Sequence, residues 1–167
     1  MTKSRLRATF LALASVASVS AVAMVGFAVL APKSAVAKPI HATLYKNPSC
    51  DCCESYAKYL DNNGFAVKVV PSPNLDALTQ EAGVPTSLVG CHLSKIDGYV
   101  IEGHIPAPIV KKFLAEHLPV KGLAIAGMPA GVPGMPGMAG MTSGPINVYE
   151  VGTAMPVVFA TIQPGEF

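Results

Sequence analysis

The chain contains no phosphate-binding glycine loop, no His-Glu-x-x-His and no Gly-x-Ser-x-Gly. Those absences argue against nucleotide-phosphate chemistry, a zincin-type protease and a serine hydrolase. Charge is scarce, with Asp, Glu, Lys and Arg together only 13% of residues, and the Lys and Arg are not clustered. A nucleic-acid-binding surface, which needs a basic patch, is therefore not expected. No internal repeat is present, and after residue 37 no segment is long and apolar enough for a second membrane span. A Cys-x-x-Cys-His haem site is excluded because residue 54 is Glu. Cysteine itself is sparse, but three of the four crowd into Cys50-Asp51-Cys52-Cys53, with Cys91 the fourth.

The first residues read as a leader. Lys3, Arg5 and Arg7 precede an uncharged run from Ala8 to Pro32, and Ala35-Val36-Ala37 has the small-x-small form that signal peptidase cuts. Residues 1–37 are expected to be a secretory signal cleaved after Ala37, with a retained membrane anchor as the alternative. Either way the folded part lies outside the cytosol, in an oxidising compartment. The leader holds four basic residues and no acids, so the remainder carries eight basic against ten acidic groups, a net −2. About 130 residues remain, enough for one compact domain. A shift in composition near Gly122 separates a mixed part, 38–121, from a Gly/Pro/Met-rich extension, 122–167.

Periodicity suggests the order of elements. Ile40–Tyr45 suits a strand, and Asn47-Pro48-Ser49 breaks the chain and offers Ser49 as a helix N-cap. Cys53, Tyr56, Ala57 and Leu60 share one helical face, and Gly64 is placed as a left-handed cap. Phe65–Val70 is rich in β-branched residues and reads as a strand. A second helix runs from an Asn74 cap to Gly83. Strands are expected at Ser87–His92 and Tyr99–Glu102 around the turn Ile96-Asp97-Gly98, and Pro106 or Pro108 opens a third helix. The sequence β-α-β-α-β-β-α predicts an α/β, thioredoxin-like domain with the cysteines where the first strand enters the first helix. Val84-Pro85-Thr86 then takes the place of the cis-proline segment of such domains.

On that scaffold Cys50 lies at a helix N-terminus, where free N–H groups and the dipole favour a thiolate. Cys50 and Cys53 alone could serve as the catalytic dithiol of a disulfide oxidoreductase. Cys52 points about 100° round the helix from Cys53, which a simple dithiol does not need. Three adjacent thiolates repel one another, and a soft cation between them removes that problem. The alternatives are a metal-free redox dithiol, or a Cys50–Cys53 disulfide with a spare thiol. Cys91 and His92 follow Pro85 and can approach the cluster. Successive strand residues face opposite ways, so one of the two is expected to be the ligand. His104 sits in a loop fixed by Gly103 and Pro106. Of the methionines, Met128 and Met135 are the first candidates, with Met138 and Met141 a looser pair. Thioether sulfur suits Cu(I) and not zinc or calcium, so the donor set selects copper as the bound metal, Cu(I) or Cu(II).

The residues that carry this chemistry also carry a resemblance. Lys46-Asn47-Pro48-Ser49-Cys50-Asp51-Cys52-Cys53, Gly64–Val70, Gly83-Val84-Pro85, Cys91-His92, Asp97–Ala107, Gly122–Pro129 and Pro133-Gly134-Met135 together resemble the CopG-like family. Its members are secreted bacterial Cys-x-Cys-Cys proteins, long catalogued as a domain of unknown function and linked to copper resistance. The resemblance implies a thioredoxin-like fold with a C-terminal extension, a periplasmic location and copper binding. The ligands it implies are Cys50, Cys52, Cys53, Cys91, His104, Met128 and Met135, with His92 beside them. Expected partners are copper ions and an efflux system or another periplasmic copper protein. The expected state is a monomer, with no nucleic acid and no membrane once the leader is removed. Copper oxidoreductase, chaperone and thiol–disulfide oxidoreductase remain as alternative activities. The longer segment after Met135 departs from the family pattern.

Overall fold

A computed structural model describes residues 38–135 and 144–163; the leader, Met138 and Met141 lie outside the described residues. The chain is a mixed α/β protein. Its elements are β1 (Ile40–Lys46), α1 (Asp51–Asn62), β2 (Phe65–Pro71), α2 (Leu75–Ala82), a 3-10 turn (Thr86–Leu88), β3 (His92–Ile96), β4 (Tyr99–Glu102), α3 (Ala107–Glu116), β5 (Gly122–Ala124), β6 (Ile146–Val151) and β7 (Val158–Ile162). The seven strands form one sheet in the order β2-β1-β3-β4-β5-β6-β7. Strand β1 pairs parallel with β2 and antiparallel with β3, and β4 pairs parallel with β5. The predicted order β-α-β-α-β-β-α is thus present between Ile40 and Glu116.

Three local readings change. Cys50, in an extended conformation, is the N-cap of α1 in place of Ser49, and no side chain caps it. Ser49 turns back onto Asn47, whose Oδ1 accepts from both the Ser49 N–H (3.1 Å) and its hydroxyl (3.0 Å). The strand expected at Ser87–His92 begins only at His92. Its register against β1, from Lys46↔His92 to Ala42↔Ile96, leaves no partner for Ser87–Gly90, which continue the 3-10 turn and then run irregularly to a bend at Cys91. No cis peptide bond occurs among the described residues, so Pro85 does not take the expected cis form. Pro85 instead leads into the 3-10 turn with φ −58°.

The segment beyond Gly122 contributes β5, β6 and β7 to the same sheet. The sheet separates two apolar layers, as strand alternation dictates. On one face Tyr56, Ala57 and Leu60 of α1 and Val110, Phe113 and Leu114 of α3 pack on Leu44, Ile96, Ile101 and Leu123. On the other, Leu75 of α2 packs with Val84, Leu93, Val100, Ala124 and Val151. Each buried Val, Leu, Ile or Phe among them contributes about 1.5–3 kcal/mol relative to exposure.

The β4–β5 pair is the tightest join. A Cβ at Gly122 would collide with the Val100 carbonyl of the neighbouring strand. Gly122→Ala is expected to cost about 2–3 kcal/mol in urea denaturation, the range for a backbone clash inside a sheet. Unchanged stability would contradict this close approach.

Candidate metal centre

The site forms where β1 runs into α1, and a buried lysine shapes that junction. Lys46 is the last residue of β1 and continues the inward series Ala42, Leu44, Lys46. It is only 3% exposed. Its ammonium donates to the carbonyls of Asn47 (3.4 Å), Pro48 (3.2 Å) and Cys50 (3.1 Å) and pairs with Glu54 at 3.2 Å. The Glu54 carboxylate is half in solvent, so this ion pair is worth at most about 1 kcal/mol. The carbonyl contacts matter more, since hydrogen bonds to charged groups contribute about 1.5–3 kcal/mol each. They bend the chain round the lysine and fix Cys50 at the helix start.

Four sulfurs then converge. Cys50 and Cys53 are joined as a disulfide, and Cys52 and Cys91 are free thiols. The Cys52 sulfur stands 3.3 Å from that of Cys50 and 3.9 Å from that of Cys91, and Cys91 lies 3.3 Å from Cys53. Cys53 is fully buried, whereas Cys50, Cys52 and Cys91 are half-buried. Burial first, and the neighbouring Cys52 second, push the Cys91 thiol up to about 12, so it holds its proton at neutral pH.

Two buried histidines back the sulfurs. His104 Nδ1 lies 2.6 Å from the Pro133 carbonyl. A carbonyl only accepts, so Nδ1 carries the hydrogen and the Nε2 lone pair is left free, 3.5 Å from the Cys91 sulfur. In metal sites a contact of this kind, from the far ring nitrogen to a backbone carbonyl, fixes the tautomer and orientation of a histidine ligand. His92 places Nδ1 3.8 Å from the same sulfur, while its buried Nε2 has no hydrogen-bond partner. Burial lowers the pKa of both imidazoles, keeping them neutral. The fully buried Tyr56 ring packs on both, at 4.7 Å from His104 and 4.9 Å from His92, and its hydroxyl donates to Ile105 O at 2.6 Å.

Two donor sets emerge, each with all atoms within 4.8 Å: Cys50, Cys52, Cys53, Cys91; and Cys53, Cys91, His92, His104. The structure thus brings together every cysteine and histidine picked out from the sequence. The strand-alternation argument for choosing between Cys91 and His92 does not apply. Cys91 precedes β3 in a bend, and both side chains reach the cluster. Met135 packs against the core layer on the α1 side, whereas Met128 is 49% exposed. The loop bearing them is seated at Gly134, where a Cβ would fall within 2.6 Å of the Tyr56 amide. A cavity of about 500 Å³, lined by residues including Pro85, Leu88, Tyr149 and Met155, includes none of these donors in its wall.

Two residues went unnoticed in the sequence. Lys46 could have been found from its inward parity in β1. Glu102 ends β4 fully buried, accepting from the Gly90 N–H at 2.6 Å through Oε1. Its Oε2 has no partner, and burial pushes its pKa up to about 8 from an ordinary 4.5. It braces the residue before Cys91 from the opposite face of the sheet.

Among known families, residues 88–135 match the model described as "Protein of unknown function, DUF411". Two solved structures titled copper resistance protein CopG, forms 1 and 2, are similar over most of the chain. The first is 32% identical with a TM-score of 0.67, covering 75% of this chain and 98% of its own. The second is 33% identical with the same TM-score, covering 74% and 98%. No curated protein matches the sequence.

Two outcomes follow from this geometry. Lys46→Met should lower stability by about 3 kcal/mol, because three carbonyls lose a charged donor; a urea midpoint equal to wild type would contradict the anchoring role. Glu102 is held protonated in the fold and ionises readily in the unfolded chain. The native state therefore binds more protons between pH 4.5 and 8, and stability falls as pH rises through that window. The buried histidines work in the opposite direction only below about pH 6.5. Between pH 6.5 and 8 the metal-free protein should lose stability, by a few kcal/mol at most, and Glu102→Gln should flatten that slope. Parallel slopes for the two proteins would refute it.

Proposed function

The chain belongs to the DUF411 family that includes copper resistance protein CopG, and on that premise we propose that it captures Cu(I) in a thiolate-rich periplasmic site. The observation that carries this reading is the convergence of four cysteine sulfurs on two neutral, buried imidazoles. Thiolate and imidazole are donors that suit copper, and several sulfurs within bridging distance suit more than one cuprous ion. Cys50, Cys52 and Cys53 form the thiolate core, Cys91, His92 and His104 close it from β3 and the loop before α3, and Met128 and Met135 cover it. The reduced site requires the Cys50–Cys53 disulfide to be opened, which supplies two of its four thiols. Cargo copper must also displace the proton that Cys91 retains at neutral pH, so capture releases protons and strengthens as pH rises.

In this reading residues 1–37 deliver the chain to the periplasm, where it acts as a monomer. The β1–α1–β2 start and the cysteines at the N-terminus of α1 support a thioredoxin-like ancestry for the domain. Interconversion of Cu(I) and Cu(II), and transfer to an efflux system, are activities compatible with the same donors. Among the described residues no helix is long and apolar enough to cross a membrane.

A second reading is favoured by one specific observation, the disulfide between Cys50 and Cys53 at the N-terminus of α1. It makes the chain a thiol–disulfide oxidoreductase needing no metal, with those two cysteines catalytic. Metal analysis and thiol counting on anaerobically reduced protein separate the two. Copper binding is expected, and Cys52→Ser should weaken Cu(I) affinity about tenfold or more in bicinchoninate competition while leaving the dithiol intact. Unchanged affinity and stoichiometry in Cys52→Ser, with metal-free turnover of a disulfide substrate, would favour the oxidoreductase.

A further inference from the structure

The disulfide divides the cluster unequally. It ties up Cys50 and Cys53, one at the helix cap and one in the core, and leaves Cys52 and Cys91 as thiols. Cys91 is the sulfur nearest the imidazoles, 3.5 Å from His104 Nε2 and 3.8 Å from His92 Nδ1. The donor atoms of Cys91, His92 and His104 all lie within 4.8 Å of one another without any help from Cys53. Metal–nitrogen and metal–sulfur bonds of about 2.0–2.1 and 2.3 Å at trigonal or tetrahedral angles put N and S about 3.5–3.8 Å apart, and two sulfurs about 3.8–4.0 Å apart. The two Cys91–imidazole separations fall at those values, and so does the 3.9 Å from Cys91 to Cys52. Neither imidazole is spent elsewhere. The lone pair of His104 is left free by the Pro133 carbonyl, and His92 is fully buried with one nitrogen lacking any partner.

We propose that the disulfide form retains a copper site of its own, made by Cys91, His92 and His104 with Cys52 at its edge. The disulfide form then holds less copper than the fully reduced form without losing it altogether. Two imidazoles and one thiolate form a trigonal set known to hold copper. This inference rests on the copper reading above, and one experiment separates them.

Cu(I) is supplied anaerobically as its acetonitrile complex, with bicinchoninate competition, to two preparations of the full chain. One is fully reduced; the other has the Cys50–Cys53 disulfide confirmed by peptide mass mapping before and after loading. The expected result is more than one copper per reduced chain and about one per disulfide chain, the latter with imidazole nitrogen and sulfur in its copper X-ray absorption spectrum. Cys91→Ser and His104→Ala should each weaken binding to the disulfide form about tenfold or more. Copper bound only by the reduced chain overturns the residual site and leaves the copper reading standing. Copper bound by neither overturns both. A sulfur-only spectrum in the disulfide form also overturns the residual site, and that measurement decides the matter if a variant fails to fold.

Discussion

Everything at this site depends on one buried ammonium. Lys46 ends a strand whose inward positions are otherwise apolar, and it gathers the carbonyls of the turn that follows. A charge removed from water must be fully solvated by the protein. Three carbonyls and a carboxylate meet that demand only if residues 47–50 curl round the lysine. The curl delivers Cys50 to the start of α1 and sets Cys52 and Cys53 in its first turn. Without it the cysteines would remain neighbours in sequence but not a cluster with Cys91. The second arm of the site depends on a contact just as specific, the His104–Pro133 hydrogen bond, which ties the loop after β5 to an imidazole facing the sulfurs.

The sheet supplies the remaining convergence. Strand β3 lies beside β1 in antiparallel register, with His92 opposite Lys46. That single pairing brings the cysteine turn and the Cys91–His92 bend to the same end of the sheet. Strand β4, next in order, carries the chain on to His104. Cys91, His92 and His104 lie 41, 42 and 54 positions beyond Cys50, yet none needs a long side chain to reach the cluster, because adjacent strand ends bring them together.

Much of this was legible in the sequence because its signals are local. Apolar spacing marked α1, Gly83 and Asn74 bounded α2, and the cysteine crowding announced a soft-metal donor set. The failures have physical causes. Ser49 is a good capping residue, but Asn47 competes for its groups, so Cys50 takes the cap. The apolar run before His92 looked like a strand, yet no neighbouring strand was available to pair with it. The burial of Lys46 and Glu102 is a tertiary property, settled by which sheet face each residue occupies. Likewise, the choice between Cys91 and His92 assumed strand geometry for a residue that sits in a bend. The family resemblance of the cysteine motif and its downstream residues agrees with the similarity to the CopG structures.

Glu102 gives the architecture a rear entrance. Its carboxyl belongs to the layer packed by α2, yet it grips the amide immediately before Cys91. Variation in α2 or the 84–89 turn, none of it touching sulfur, can therefore shift the position of Cys91 from behind. Substitutions confined to cysteine, histidine and methionine would leave that rear support of Cys91 untouched.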